Sequence, residues 1–240
     1  VEADDQLLIG GHVSAAGGVH RAIERGEQNA FNAIQVFTRN PNQWASPALK
    51  DEVVQEYRSL LESSGIRYVV AHDSYLINLA TPDAALRKRS IEAVLDELDR
   101  AEILGIPDVV THLGAHMGEG DDAGIERLIS CLDTIVEARP DMKVRLALET
   151  TAGQGSTIGY RFEHIAEVIE GVQAPDRVAV CLDTCHAWVA GYDLKSEAGF
   201  DEVWRQFADI IGIDRLCCLH LNDAKREQGS RIDRHEHIGE

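Results

Sequence analysis

Seven short, almost unbroken apolar runs, each followed by a helical stretch, limit what this chain can fold into more than any other feature. The runs are LLIGGHVS (7–14), NAIQVFT (32–38), RYVVAHD (67–73), PDVVTHL (107–113), VRLALET (144–150), RVAVCLDT (177–184) and RLCCLHLND (215–223). A strand with one wet face alternates apolar and polar residues, whereas unbroken runs belong to parallel strands covered on both faces. The intervening segments SPALKDEVVQEYRSLLESSG (46–65) and TPDAALRKRSIEAVLDELDRAEILG (81–105) open on Ser or Thr with Pro and close on Gly. Helix N-caps, first turns and C-terminal caps favour those residues. Segments 122–138, 161–171 and 197–211 carry the same helical period. No linker, low-complexity tract or change of composition interrupts the series, so residues 1–240 read as one domain of repeated β–α units.

Such a chain closes either an open doubly wound sheet or a barrel. The open dinucleotide-binding form predicts G-x-G-x-x-G after the first strand, and GGHVSAAGG does not supply it. A barrel predicts functional side chains at the C-terminal ends of several different strands. Six of the seven runs end in a metal-capable residue: His12, His72, His112, Glu149, Asp183 and His220. The expected fold is therefore an α/β barrel of the TIM, (β/α)8 type.

His72, His112, Glu149, Asp183 and His220 each close a different strand and would converge on one mouth. A lone histidine after a buried strand is ordinarily a hydrogen-bonded scaffold residue. Five such polar residues with unrelated scaffold roles would leave a costly uncompensated cluster in an apolar barrel end. Imidazole with carboxylate suits Zn²⁺, Mn²⁺ or Fe²⁺. His186 follows the sixth strand by one turn, and Asp233 and His235 sit at i and i+2 after the seventh, so that an extended segment turns both toward one ion. Eight ligands exceed the four to six positions of one ion, so two or three ions are expected. Among the other histidines, His12 would support the site from behind. His20 and His164, within helical stretches, are expected on the surface, and His116 and His237 lie near the mouth but are surplus to the metal shells.

The formal charge of −18 excludes nucleic-acid binding through the overall field, because such a chain repels phosphate at long range; bound cations could still make a positive mouth. Near that mouth, Lys225, Arg226, Arg231 and Arg234 outnumber Glu227 and Asp233. The five cysteines (131, 181, 185, 217 and 218) sit mostly in apolar runs and read as reduced thiols, not a disulfide framework. Cys181 and Cys185 lack the second Cys pair of a structural zinc site. Reduced thiols, an acidic N-terminus unlike a signal peptide and no apolar run of about 18 residues point to a cytoplasmic protein without membrane insertion. The glycines of TAGQGSTIG shape a loop, not a P-loop, since no Gly-Lys-Ser/Thr follows.

These motifs resemble the endonuclease IV family of apurinic/apyrimidinic endonucleases, which are trinuclear zinc TIM barrels related to xylose isomerase. The resemblance runs through GGHVSAAGG, AHDSYLINLA, LETTAGQGSTIG, CLDTCHAWVAGYDL, HLNDAK and IDRHEHIGE, and so covers essentially the whole chain. It implies one zinc on His72, His112 and Glu149, a second on bridging Glu149 with Asp183 and His220, and a third on His186, Asp233 and His235. Glu149, His72, His112, Asp183 and His220 are the residues expected to carry catalysis. The resemblance further implies DNA contacts at Tyr75, Asn78, Arg39 and Asn42. Asn42 stands where several members place an Arg that enters the DNA, and Leu113 where Pro is more familiar.

The implied activity is cleavage of duplex DNA 5′ to an abasic site, leaving a 3′-hydroxyl and a 5′-deoxyribose phosphate, with removal of blocked 3′ ends. The protein is expected to act as a monomer. The chain opens on Val and reaches Glu240 before an eighth strand, where the family places a ninth ligand, a Glu. On this reading the chain is truncated, binds zinc, and nicks abasic DNA less well than one extended by a further strand–helix unit. The rival readings are a xylose-isomerase-like sugar isomerase or epimerase, which leaves His186, Asp233 and His235 unexplained, and an inactive zinc-binding fragment.

Overall fold

The computed structural model describes residues 7–240. Strands β1 (Gly10–His12), β2 (Ala33–Val36), β3 (Tyr68–His72), β4 (Asp108–His112), β5 (Arg145–Glu149), β6 (Val178–Asp183) and β7 (Leu216–His220) form one parallel sheet in chain order. The helices between them are α1 (His20–Gln28), α2 (Asp51–Ser63), α3 (Ala84–Leu104), α4 (Asp121–Ala138), α5 (Phe162–Gly171), α6 (Thr184–Ala190) and α7 (Glu197–Ile210). A flat sheet with strands about 4.8 Å apart would hold β2 and β7 about 24 Å from each other. Instead the His220 ring on β7 lies 2.7 Å from the Gln35 side chain on β2. The sheet is thus curled into a half-barrel of seven strand–helix units, as the apolar runs predict. Among the described residues, β1 and β7 do not pair with each other.

Two apolar layers explain the unbroken runs. Outward residues such as Val69, Val109, Leu148, Val180 and Leu182 pack with helix residues including Ile23, Leu98, Leu128 and Phe207. Inward residues Val70, Val110, Ala147, Ala179 and Cys181 form a small second core inside the curl. Beneath that core Asp108 is fully buried and bound by Arg145, whose Nε and Nη2 donate at 2.7 and 3.1 Å, while the Tyr68 hydroxyl also donates to it. Parallel register sets His112 opposite Glu149, Glu149 opposite Cys181, and Asp183 opposite His220. The strand-end residues therefore arrive together at one end of the sheet.

Helix α3 shows how local sequence sets an element. Asp83 caps its start, accepting from the Ala85 and Leu86 amides at 2.9 and 3.1 Å. Gly105 ends it at φ 77°, a left-handed conformation that a Cβ disfavours. A Cβ there would meet nothing within 4 Å, so the backbone alone decides the effect. Gly105→Ala is expected to lower stability by roughly 1–2 kcal/mol in thermal melts.

Several sequence expectations need correction. Helix α2 starts at Asp51, not Ser46, because Arg100 donates to the Pro47 carbonyl and residues before Asp51 stay outside the helix. Helix α6, and the hairpin of β8 (Asp223–Ala224) with β9 (His235–Glu236), go beyond the elements that the sequence pattern predicts. His20 and His164 are buried, not on the surface. Each lies on the inward face of its helix, where His164 Nδ1 accepts from the Gly159 amide at 3.2 Å and His20 Nε2 stands 3.7 Å from Glu56. All five cysteines are unpaired. Among the described residues, no helix is long and apolar enough to cross a membrane.

Candidate metal centre

Glu149, at the end of β5, is the hub. Its buried carboxylate has Oε2 at 3.2 Å from His72 Nε2 and 3.1 Å from His112 Nε2. Oε1 lies 2.8 Å from His220 Nδ1 and 3.5 Å from His186 Nδ1. Asp183 ends β6 and caps α6: its Oδ1 accepts from the His186 amide at 2.8 Å. That cap, together with the helical turn, carries His186 back over the mouth. Asp183 Oδ2 accepts from Asn222 Nδ2 at 2.7 Å and stands 3.3 Å from His235 Nε2. The β8–β9 hairpin presents Asp233 beside His186 (3.2 Å) and His235 (3.0 Å). All eight ligands expected from the sequence thus meet in one mouth.

Donor atoms lie within 4.8 Å of one another in the trios His72–His112–Glu149, Glu149–Asp183–His186 and His186–Asp233–His235. His220 joins the cluster through Glu149, with Asp183 at 3.8 Å. His186 Nδ1 is 2.7 Å from the Thr150 carbonyl, which can only accept, so this nitrogen carries the proton. Its Nε2 therefore faces Asp233, on the side of the third trio, and is the nitrogen that a bound ion would meet once its proton is displaced.

Electrostatics hold the cluster in a charged state. Burial alone would raise Glu149, but His112, His186 and His220 outweigh it and hold the carboxyl well below its usual range. Burial would lower His186, yet its bonds to Asp233 and Glu149 push it up to about 11. Hydrogen bonds to Asp183 and Asp233 raise His235 to about 9. A cation entering such a site displaces protons and takes over their neutralising role. Closely spaced imidazole and carboxylate donors around buried acids fit divalent ions of the zinc type.

The expected DNA-facing residues divide. Tyr75 is exposed, edge-on to Phe37 at 5.4 Å, and the Asn42 side chain is exposed. Asn78 uses its amide on backbone, donating to Ala115 O at 3.1 Å and accepting from Ala115 and Ala80 amides at 2.9 and 3.1 Å. Arg39 departs from the expectation of a DNA-facing side chain: it is buried, and its guanidinium is engaged by Glu97, Asp96, Trp44 O and Ala93 O. A cleft of about 480 Å³ runs from Tyr75 past His112 and His186 to Asp233 and Arg234. The His12 ring reaches the cluster through Gln35, its Nδ1 lying 3.0 Å from Gln35 Nε2, and through Phe37, whose ring lies 4.4 Å from His12 and 5.7 Å from His72. His116 accepts amides of its own loop through Nδ1, and His237 is exposed. Sequence reasoning missed Gln35, Asn222 and Gln154, the last accepting the Asp233 amide at 2.8 Å. Gln35 was detectable as the one polar residue inside the apolar stretch AIQVF, and Asn222 as part of HLND.

A curled parallel sheet with its ligand cluster at the C-terminal strand ends defines an α/β barrel of the xylose isomerase type, and the sequence model of the xylose isomerase-like TIM barrel family matches residues 23–240. A probable endonuclease 4 of Geotalea daltonii is 45% identical over 231 residues, covering 96% of this chain and 81% of the relative. The probable endonuclease 4 of Geobacter sulfurreducens is 44% identical, covering 96% and 78%. The crystal structure of endonuclease IV from Thermus thermophilus superposes with a TM-score of 0.85 at 33% identity, covering 95% of this chain and 81% of that one. A D-tagatose 3-epimerase-like protein, at 18% identity and a TM-score of 0.66 over 88% of this chain and 75% of its own, shares the fold alone. The chain belongs to the endonuclease IV family.

Proposed function

We propose that this protein is a metal-dependent DNA repair endonuclease. It hydrolyses the phosphodiester 5′ to an abasic site in duplex DNA, giving 3′-hydroxyl and 5′-deoxyribose phosphate ends, and removes 3′-blocking groups. The observation that carries this reading is the convergence of eight His, Asp and Glu side chains on one mouth in a member of this family. Three zinc ions are assigned: His72, His112 and Glu149 hold the first, Glu149, Asp183 and His220 the second, and His186, Asp233 and His235 the third. Bound cations supply Lewis acidity, polarising the phosphate and making a water acidic enough to lose its proton near neutrality.

The chain's own groups do the rest. Glu149, anchored on a central strand, offers one oxygen to the His72–His112 side and the other to His220. Asp233 lines the cleft, so an ion held by His186, Asp233 and His235 would lie within reach of a phosphate bound there. Exposed Arg226, Arg231 and Arg234 on the same segment give this acidic protein a basic rim. Tyr75 lines the cleft and Asn42 is exposed on the loop after β2, and both meet DNA. An abasic nucleotide has no base stacking to lose, so drawing it into the cleft costs less than flipping an intact one. A sugar epimerase needs one or two ions and leaves the His186–Asp233–His235 trio without a role.

The test is nicking of an oligonucleotide duplex with one abasic site, with metal analysis of the same sample. Cleavage 5′ to the lesion that chelators abolish is expected, and a fully metallated protein that left the duplex intact would overturn the assignment. His186→Ala should remove one ion and leave two; an unchanged metal count would sink the three-ion arrangement.

A further inference from the structure

We infer that Gln35 decides which imidazole nitrogen of His220 meets the metal, an inference that rests on the metal-binding reading above. Two other ligands get their tautomer from backbone. His72 Nδ1 lies 3.0 Å from Asp73 O and His186 Nδ1 2.7 Å from Thr150 O. A carbonyl only accepts, so both Nδ1 atoms carry protons and both rings offer Nε2 to an ion. His220 is reversed. Its Nδ1 faces the carboxylates, 2.8 Å from Glu149 and 3.8 Å from Asp183, while its Nε2 points across the mouth to Gln35 Oε1 at 2.7 Å.

An amide could turn either end toward His220; in the structure its oxygen faces His220 and its NH₂ group faces His12. Gln35 Nε2 lies 3.0 Å from His12 Nδ1, and an amide nitrogen only donates. With its NH₂ group on His12, Gln35 keeps its oxygen on His220. That oxygen requires the His220 proton on Nε2 and leaves the Nδ1 lone pair for the ion. His12 and Gln35 are register partners on β1 and β2, and the His12 ring lies 4.4 Å from that of Phe37 in a tilted contact, so the relay is built into the strands. Gln35 is a positioning residue: it touches no ion and acts through His220.

Gln35→Met removes the acceptor at similar length, whereas Gln35→Glu keeps one. Zinc-loaded Gln35→Met should hold one ion per chain roughly 10–100-fold more weakly in competition with a chromogenic chelator. Gln35→Glu should stay near wild type. Ring-nitrogen NMR of the zinc-loaded wild type should place the His220 proton on Nε2. A proton on Nδ1, wild-type affinity in Gln35→Met, or equal loss in both variants with lowered melting of their metal-free forms would overturn the role of Gln35. A wild-type protein that bound no divalent ion would instead overturn the metal reading itself.

Discussion

Glu149→Gln should lose two metal ions together and depress abasic-site nicking by roughly 100-fold or more. The substitution keeps the side chain's size and removes the charge that lies within 3.2 Å of His72, His112 and His220. Changes one step outside a metal's ligands already lower affinity or activity about 10–100-fold, so a bridging ligand belongs at or beyond the upper end of that range. A buried amide would also leave three imidazoles facing a neutral partner where a carboxylate had stabilised them. Metal analysis and nicking rates on one preparation check the result. Full metal content with near-normal nicking would show that Glu149 does not bridge.

Glu97→Ala should destabilise the fold by about 3–5 kcal/mol in urea unfolding, because it leaves the buried Arg39 guanidinium with only the part-exposed Asp96, at 3.4 Å, as counter-charge. The Arg39 side chain is 2% exposed and that of Glu97 1%. Glu97 Oε2 accepts from Arg39 Nε at 2.9 Å, and its Oε1 accepts from Thr38 Oγ1 at 2.5 Å. Arg39 also donates to Trp44 O and Ala93 O, at 3.0 and 3.1 Å, and Arg89 lies 4.3 Å over the Trp44 ring. Together these contacts pin the loop that carries Asn42 onto α3. Replacing both partners, Arg39→Met with Glu97→Leu, removes that poorly compensated charge and should recover most of the loss. The ligand cluster lies outside this network, so metal content should not change. A loss under about 1 kcal/mol from Glu97→Ala would show that water screens the pair.

The barrel and the ligands were legible because both are written locally. Unbroken apolar runs follow directly from strands covered on two faces, and Val70 and Val109 fill those two faces as the runs required. A His or acid at the end of six of the seven runs needs only the parallel register to come near the mouth, and the register delivers it. Arg39 was not legible. A cation in a loop after a strand looks like a phosphate contact, and its partner Glu97 lies 58 residues away on a helix. His164 was hidden for the same reason: periodicity placed it in a helix, but only packing against the 151–160 loop showed which face was covered.

By itself, then, the sequence determined the succession of β–α units, the strand ends as the place where His and acidic side chains gather, and the eight candidate ligands that meet there, because each depends on periodicity and residue type within a few positions. The tertiary structure decided how those ligands share one another and what holds them. His72 and His186 turn Nε2 inward because backbone carbonyls take their other nitrogens, while His220 turns Nδ1 inward across a 185-residue separation from Gln35. Hydrogen-bond direction and burial are properties of neighbours in space, and the curl of the sheet, not the order of the chain, makes β2 and β7 neighbours.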